Sequence, residues 1–158
     1  NDVRVLFKNP KNLTKHLEGL LRQNSDLQKE IDKFLKDKAK NLKAELLASS
    51  KNINGVNFIA SKINLDSSDA IKNLAFQMRS EVDNLFMVLG AEVKGKPNLT
   101  VVVSESLVKE KGLNAGAIIR ELAKEIQGGG GGQPFYATAG GKDVSGLDNA
   151  LKKAEAFI

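Results

Sequence analysis

Cysteine is absent from this 158-residue chain, and histidine occurs once, as His16. The first absence excludes disulfides, thiolate metal sites and a thiol nucleophile, and the second leaves little for imidazole ligation or a histidine-based triad. His16 itself reads as a solvated helix residue. Tryptophan is also missing, tyrosine occurs once and proline three times. No stretch approaches the roughly 18 apolar residues of a membrane span, and no segment reads as a secretory signal. Hydrophobic residues at 41% and charged residues at 27% describe a soluble, folded chain whose expected compartment is the cytoplasm. These are poor materials for an enzyme acting alone. The length suits one ordinary domain, or a small domain with an extended element. Asn1 in place of a starting methionine is what an excised piece would show.

Glycine, in contrast, is concentrated. Seven of the 14 glycines fall in the 14-residue window Gly128-Gly129-Gly130-Gly131-Gly132-Gln133-Pro134-Phe135-Tyr136-Ala137-Thr138-Ala139-Gly140-Gly141. Glycine loses more backbone entropy on ordering than any other residue, so bare backbone at this density needs a use. It suits close approach of a phosphate or sugar backbone, a chain path with several positive φ values, or a flexible linker. The order is wrong for a dinucleotide fingerprint, in which glycine follows a strand, and no Gly-Lys-Ser/Thr ending marks a triphosphate loop. Pro134, Phe135 and Tyr136 speak against a linker. The two aromatic rings fit either core packing or stacking on a base.

The formal charge is +5, and its excess lies towards the N-terminus: residues 10–48 carry nine Lys or Arg against six acids. Such an excess on one element favours an anionic partner, with nucleic acid ahead of a membrane surface. Asn9 is placed as an N-cap and Pro10 as the first residue of a long helix. Leu13, Leu17, Leu20, Leu27, Ile31 and Phe34 follow the 4,3 spacing of a heptad, with Asn24 and Lys38 at seam positions. Beyond Leu35 the stripe shifts to Ala39, Leu42 and Leu46. This predicts a coiled-coil-like seam for packing within the chain or against a second copy. Opposite it run Lys11, Lys15, Arg22, Lys29, Lys33, Lys36, Lys40 and Lys43, which read either as a solvated face or as a track for phosphates.

From about Lys51 the texture alternates between helix and strand. Asn52-Ile53-Asn54-Gly55 reads as a turn and residues 56–63 as a strand. Asp66-Ser67-Ser68 offers caps for a helix carrying Ile71, Leu74, Ala75, Met78 and Val82. Residues 85–93 and 99–104 suit a hairpin turning at Gly95-Lys96-Pro97-Asn98. A short helix ending at Gly112, a second from Asn114 through Ile126, and a last one capped at Ser145-Gly146-Leu147-Asp148 complete the pattern. The expected architecture is α/β (α+β): residues 1–50 an N-terminal strand or linker and helical stalk, residues 51–158 a globular domain with a mixed sheet, flanking helices and a Gly-rich loop at 128–141.

The glycine window, the amphipathic helix after it and the basic Leu-seamed helix before it resemble the C-terminal region of bacterial alanyl-tRNA synthetases. The window is also similar to the accessory domain of DHH-type phosphoesterases, and the long helix favours the synthetases. The common family form places arginine before the proline, where this chain has Gln133, which removes one phosphate contact. The resemblance implies a tRNA-binding arm, a homodimer partner, and the upstream aminoacylation and editing domains as partners, with no membrane. It assigns ATP, magnesium and zinc to those upstream domains and none to these residues. RNA contacts are expected from Gly128, Gly129, Gly130, Gly131, Gly132, Gln133, Pro134, Tyr136, Gly140, Gly141 and Lys142. Arg120, Lys124, Lys29, Lys33, Lys36, Lys40 and Lys43 are expected to supply further charge. Two other readings remain: a protein interaction module using the Leu seam, and a nucleic-acid-binding accessory domain of a phosphoesterase.

Overall fold

Residues 12–158 are described by the structure, a computed structural model. Asn9, Pro10 and Lys11 lie outside them. The first described element, α1, is a 36-residue helix, Leu13–Ala48, and the Asn12 side chain accepts a hydrogen bond from the Lys15 N–H at 3.0 Å, as an N-cap does. The chain divides into two compact units, the first ending at Lys40 and the second running Asn41–Ile158.

In the first unit the apolar stripe is not buried. Leu17, Leu20, Leu27, Ile31, Phe34 and Leu35 are all exposed, and so is Leu21. Lys29 lies 4.0 Å from Asp26 and is the one lysine of this stretch with a salt bridge among the described residues. At that distance and exposure the pair contributes little.

The second unit takes in the last turns of α1, where Leu42 and Leu46 pack into a core and Lys43 donates to both oxygens of Glu81 at 2.6 Å. Strand β1 (Lys51–Ile53) turns at Asn54-Gly55 into β2 (Val56–Ile63). Both turn residues have positive φ, 52° and 82°, which suits the tight hairpin turn that Asn-Gly favours. Part of the segment expected to be only a turn is thus a strand. Helix α2 (Ser68–Glu81) follows, capped by the Ser67 hydroxyl accepting from the Ala70 N–H. Its buried residues are Ile71, Leu74, Ala75 and Met78, the stripe expected from their spacing. Strands β3 (Leu85–Val93) and β4 (Lys96–Val103) form the expected hairpin, but its turn is Lys94-Gly95 and Lys96 to Asn98 already belong to β4. Two short helices come next, α3 (Glu105–Lys111), ended by Gly112 at φ 68°, and α4 (Ala115–Leu122), capped by Asn114. The second stops short of Ile126, which is nonetheless buried.

The largest departure concerns the glycines. Gly129–Gln133 is a strand, β5, paired antiparallel with β6 (Tyr136–Gly140), so the window is a hairpin at the sheet edge and not a loop. Sequence pattern could not announce this, because glycine carries no side-chain periodicity and little strand propensity. The final helix, α5 (Leu147–Ala154), is preceded by a single 3-10 turn whose cap is Asp143, accepting from the Ser145 N–H and hydroxyl; Ser145 therefore does not cap the helix.

Six strands form one sheet in the order β1-β2-β3-β4-β6-β5, parallel only where β2 meets β3. Alternation along the strands divides the core between the two faces. One face carries Ile59, Met87, Leu89 and Val102 against α2 and the end of α1. The other carries Val88, Leu99, Val101, Ala137 and Ala139 against α4 and α5.

Candidate nucleic-acid interface

The glycines of the β5–β6 hairpin fall into two groups by what a side chain at each would meet. On Gly128, Gly130 and Gly132 a Cβ would lie 2.0, 2.2 and 2.3 Å from the carbonyl oxygens of Gly140, Thr138 and Tyr136 on the neighbouring strand of the hairpin. Such approaches are impossible for any residue with a Cβ, so these three glycines are demanded by the fold. Gly141 is of the same kind, because a Cβ there would sit 2.2 Å from the Ile126 carbonyl oxygen. Gly129, Gly131 and Gly140 differ, since nothing lies within 4 Å of a Cβ built on them. None of these three has the positive φ that would require glycine. The fold leaves these three positions free to carry side chains, and the sequence puts none there.

Strand alternation places Gly129 and Gly131 on the same face, and register sets Gly140 opposite Gly129 and Thr138 opposite Gly131. Across β6, Gly140 pairs with Asn98 and Thr138 with Thr100. This is the α2 face of the sheet: Gly129 and Gly140 are exposed on it, Gly131 and Thr138 are half-buried, and Thr100 is buried.

The hairpin is held at its tip. The Pro134 carbonyl accepts from the Ala115 N–H at 2.8 Å, and the Phe135 carbonyl from the Val103 N–H at 2.9 Å. Tyr136 stacks on Phe76 of α2 with ring centroids 5.0 Å apart, and the Arg79 guanidinium lies 4.4 Å above the Phe135 ring while reaching Glu105 at 3.4 Å. Both rings are therefore engaged within the fold. Half-burial pushes the Tyr136 hydroxyl above its ordinary pKa through loss of solvation. Of the two uses open to Phe135 and Tyr136, packing is the one seen.

Where the sheet ends at the β3–β4 turn, a cavity of about 670 Å³ opens beside the hairpin. Lys96, Lys142, Asn98, Gln127, Ser68 and the backbone of Gly128, Gly140 and Gly141 are among the residues that line it, and no carboxylate is. The Lys142 and Asp143 N–H groups both donate to the Ile126 carbonyl, which fixes the chain leaving β6.

The expected contact residues are therefore only partly gathered. Gly128, Gly140, Gly141 and Lys142 line the cavity, Gly129 and Gly131 lie along β5 opposite Gly140 and Thr138, and Gln133 is exposed at the end of β5. Arg120 and Lys124 belong to α4 and the turn after it, on the opposite face of the sheet from α2. Lys124 is also occupied, donating to both Glu121 oxygens at 2.8–2.9 Å, and that hydrogen bond holds the Glu121 carboxyl below its ordinary pKa. Lys43 is bound to Glu81. Lys33, Lys36 and Lys40 make no salt bridge among the described residues. Lys96 and Asn98 are not among the expected contacts, because only the pairing of β4 with β6 brings them beside the glycines; Gln127, also not among them, adjoins Gly128 in the chain. Among the described residues no group of three His, Cys, Asp or Glu side chains is placed to hold a metal ion. No described helix is long and apolar enough to cross a membrane.

The profile of the DHHA1 domain matches residues 55–158. The chain is 52% identical over 157 residues to the alanine–tRNA ligase of Christiangramia forsetii and 48% identical over 156 residues to that of Cytophaga hutchinsonii, in each case over 99% of this chain. It spans 18% of the length of either relative. Among solved structures, the C-Ala domain from Aquifex aeolicus alanyl-tRNA synthetase superposes with a TM-score of 0.62 at 24% identity, covering 68% of this chain and 96% of that one. That likeness is one of fold.

Proposed function

Because this chain belongs to the DHHA1 domain family, and its relatives along nearly all of its length are alanine–tRNA ligases, we propose that it is the tRNA-binding C-terminal domain of such a ligase. In this reading it helps bring the aminoacylation and editing domains of the same protein onto tRNA(Ala), in the cytoplasm. ATP, magnesium and zinc belong to those other domains.

One observation carries the reading: Gly129, Gly131 and Gly140 keep an open face bare where the fold would accept side chains. Glycine in a strand costs about 0.5–1 kcal/mol relative to alanine, so its presence where packing does not demand it points to a surface that something must approach closely. RNA recognised by shape and backbone is such a partner. The exposed lysines at 33, 36 and 40 add sequence-independent attraction that salt screens.

The test is a titration of tRNA against the chain at two salt concentrations. Binding should weaken with salt, with a log–log slope of about 0.7–0.9 per phosphate contacted. Gly131→Val should lower affinity without lowering the melting temperature; Gly130→Val is unsuitable, since a side chain there meets the Thr138 carbonyl. No salt-dependent binding by the parent chain would sink the reading.

A second reading rests on the exposed Leu seam of α1. Large apolar side chains left in water favour association, and the spacing suits a second copy of the same helix.

A further inference from the structure

We propose that the cavity beside the base of the β5–β6 hairpin is a binding site for phosphodiester groups of an RNA backbone, with Lys96 and Lys142 as its two cationic contacts. The inference rests on the tRNA-binding reading and places its phosphate contacts at one end of the sheet.

Size, charge and donor chemistry agree. The volume of about 670 Å³ lies within the roughly 300–1,000 Å³ of ordinary ligand pockets. It is larger than one phosphate needs and suits consecutive groups of a chain. Lys96 begins β4 and Lys142 follows β6; both are exposed, and neither ammonium group has a hydrogen-bond or ion-pair partner among the described residues. The acid next to Lys142 in sequence, Asp143, caps the 3-10 turn and accepts from Ser145 and Gln127. Two unpaired cations with no carboxylate among the lining residues make a local field that favours an anion.

The neutral lining groups add donors without adding charge. Asn98 uses its side-chain oxygen to accept from the Thr100 hydroxyl at 3.5 Å, and its amide hydrogens have no hydrogen-bond partner among the described residues. Gly140 faces open space and lets a ligand reach the strand backbone, whereas even a methyl group there would stand in the mouth. The lining offers no aromatic ring on which a base could stack and no arginine fork to read a base edge. The site is thus suited to the backbone of RNA and indifferent to its bases.

The double variant Lys96→Gln/Lys142→Gln tests this, with Gly140→Val as a second, charge-neutral probe. In a tRNA titration at two salt concentrations the double variant should lower the log–log slope by about 0.7–0.9 for each phosphate contact removed. Gly140→Val should weaken binding with the slope retained. Neither variant should melt below the parent, because neither lysine is paired and the valine side chain starts in open space. A parent chain that binds tRNA, with a double variant of unchanged slope, overturns the cavity assignment and leaves the tRNA reading standing. A parent that does not bind tRNA removes both. Inorganic phosphate at millimolar concentration should not displace the tRNA; efficient displacement would overturn the backbone assignment in favour of a free-anion site.

Discussion

At Gly130 and Gly131, neighbours in one run, the same substitution should have opposite effects. A methyl group on Gly130 would lie 2.5 Å from both the Cα and Cβ of Ala139 and closer still to the Thr138 carbonyl, so accommodation requires the two strands to separate. Overpacking of this kind costs about 1–3 kcal/mol, and Gly130→Ala should unfold at correspondingly lower urea concentration. Gly131→Ala meets nothing within 4 Å and removes conformational freedom from the unfolded chain, so it should stabilise by about 0.4–1 kcal/mol. Equal effects of the two alanines would refute the assignment of alternating faces. This alternation was illegible in the sequence. Five identical residues have no inward and outward members until the register with Tyr136–Gly140 assigns them. Other single residues were legible because their chemistry is local: Ser67 and Asn114 accept the N–H bonds expected of caps, and Gly112 adopts the left-handed conformation that ends a helix.

Elements were readable where a period was present. The stripe Ile71, Leu74, Ala75 and Met78 gave α2, and the β-branched run at Val101, Val102 and Val103 gave the core of β4. What failed was whatever depended on pairing between distant segments: the strand character of Lys51–Ile53, the edge position of β5, and the approach of Lys96 to Lys142. The contact of α2 with the hairpin belongs to this class, and it has a measurable signature. Burial raises the pKa of Tyr136 above its unfolded value near 10.0, so its contribution is fully present below about pH 10. As pH rises through that value the unfolded chain releases a proton that the folded chain retains, and stability falls until the folded pKa is passed. The parent should therefore lose stability to urea between pH 9.5 and the onset of general alkaline unfolding, and Tyr136→Phe should flatten that part of the curve. A variant curve parallel to the parent's would mean that the hydroxyl is as well solvated in the folded state as in the unfolded one.

For the molecule as a whole, association is the property least satisfied by the described contacts. Leu21 is 70% exposed, Phe34 67%, Leu27 58% and Ile31 52%, all on a helix that also bears unpaired lysines. Scattered exposed leucines are ordinary, but side chains at heptad spacing over several turns form a continuous apolar edge, and such an edge is covered most simply by its own copy. Asn24 and Lys38 at seam positions lower the stability of such a pairing while fixing its register, so the expected dimer is weak and concentration dependent. Sedimentation equilibrium should show a reversible monomer–dimer equilibrium for the parent, and Leu27→Lys/Phe34→Lys should abolish it. Because both residues lie on α1 and are remote in sequence from Gly129–Gln133, the same double variant should retain the tRNA affinity of the monomer and lose only the gain that two linked binding sites provide. A parent that remains monomeric at every accessible concentration would refute the dimer seam. Loss of monomer binding in the variant would instead move part of the RNA contact onto the helix.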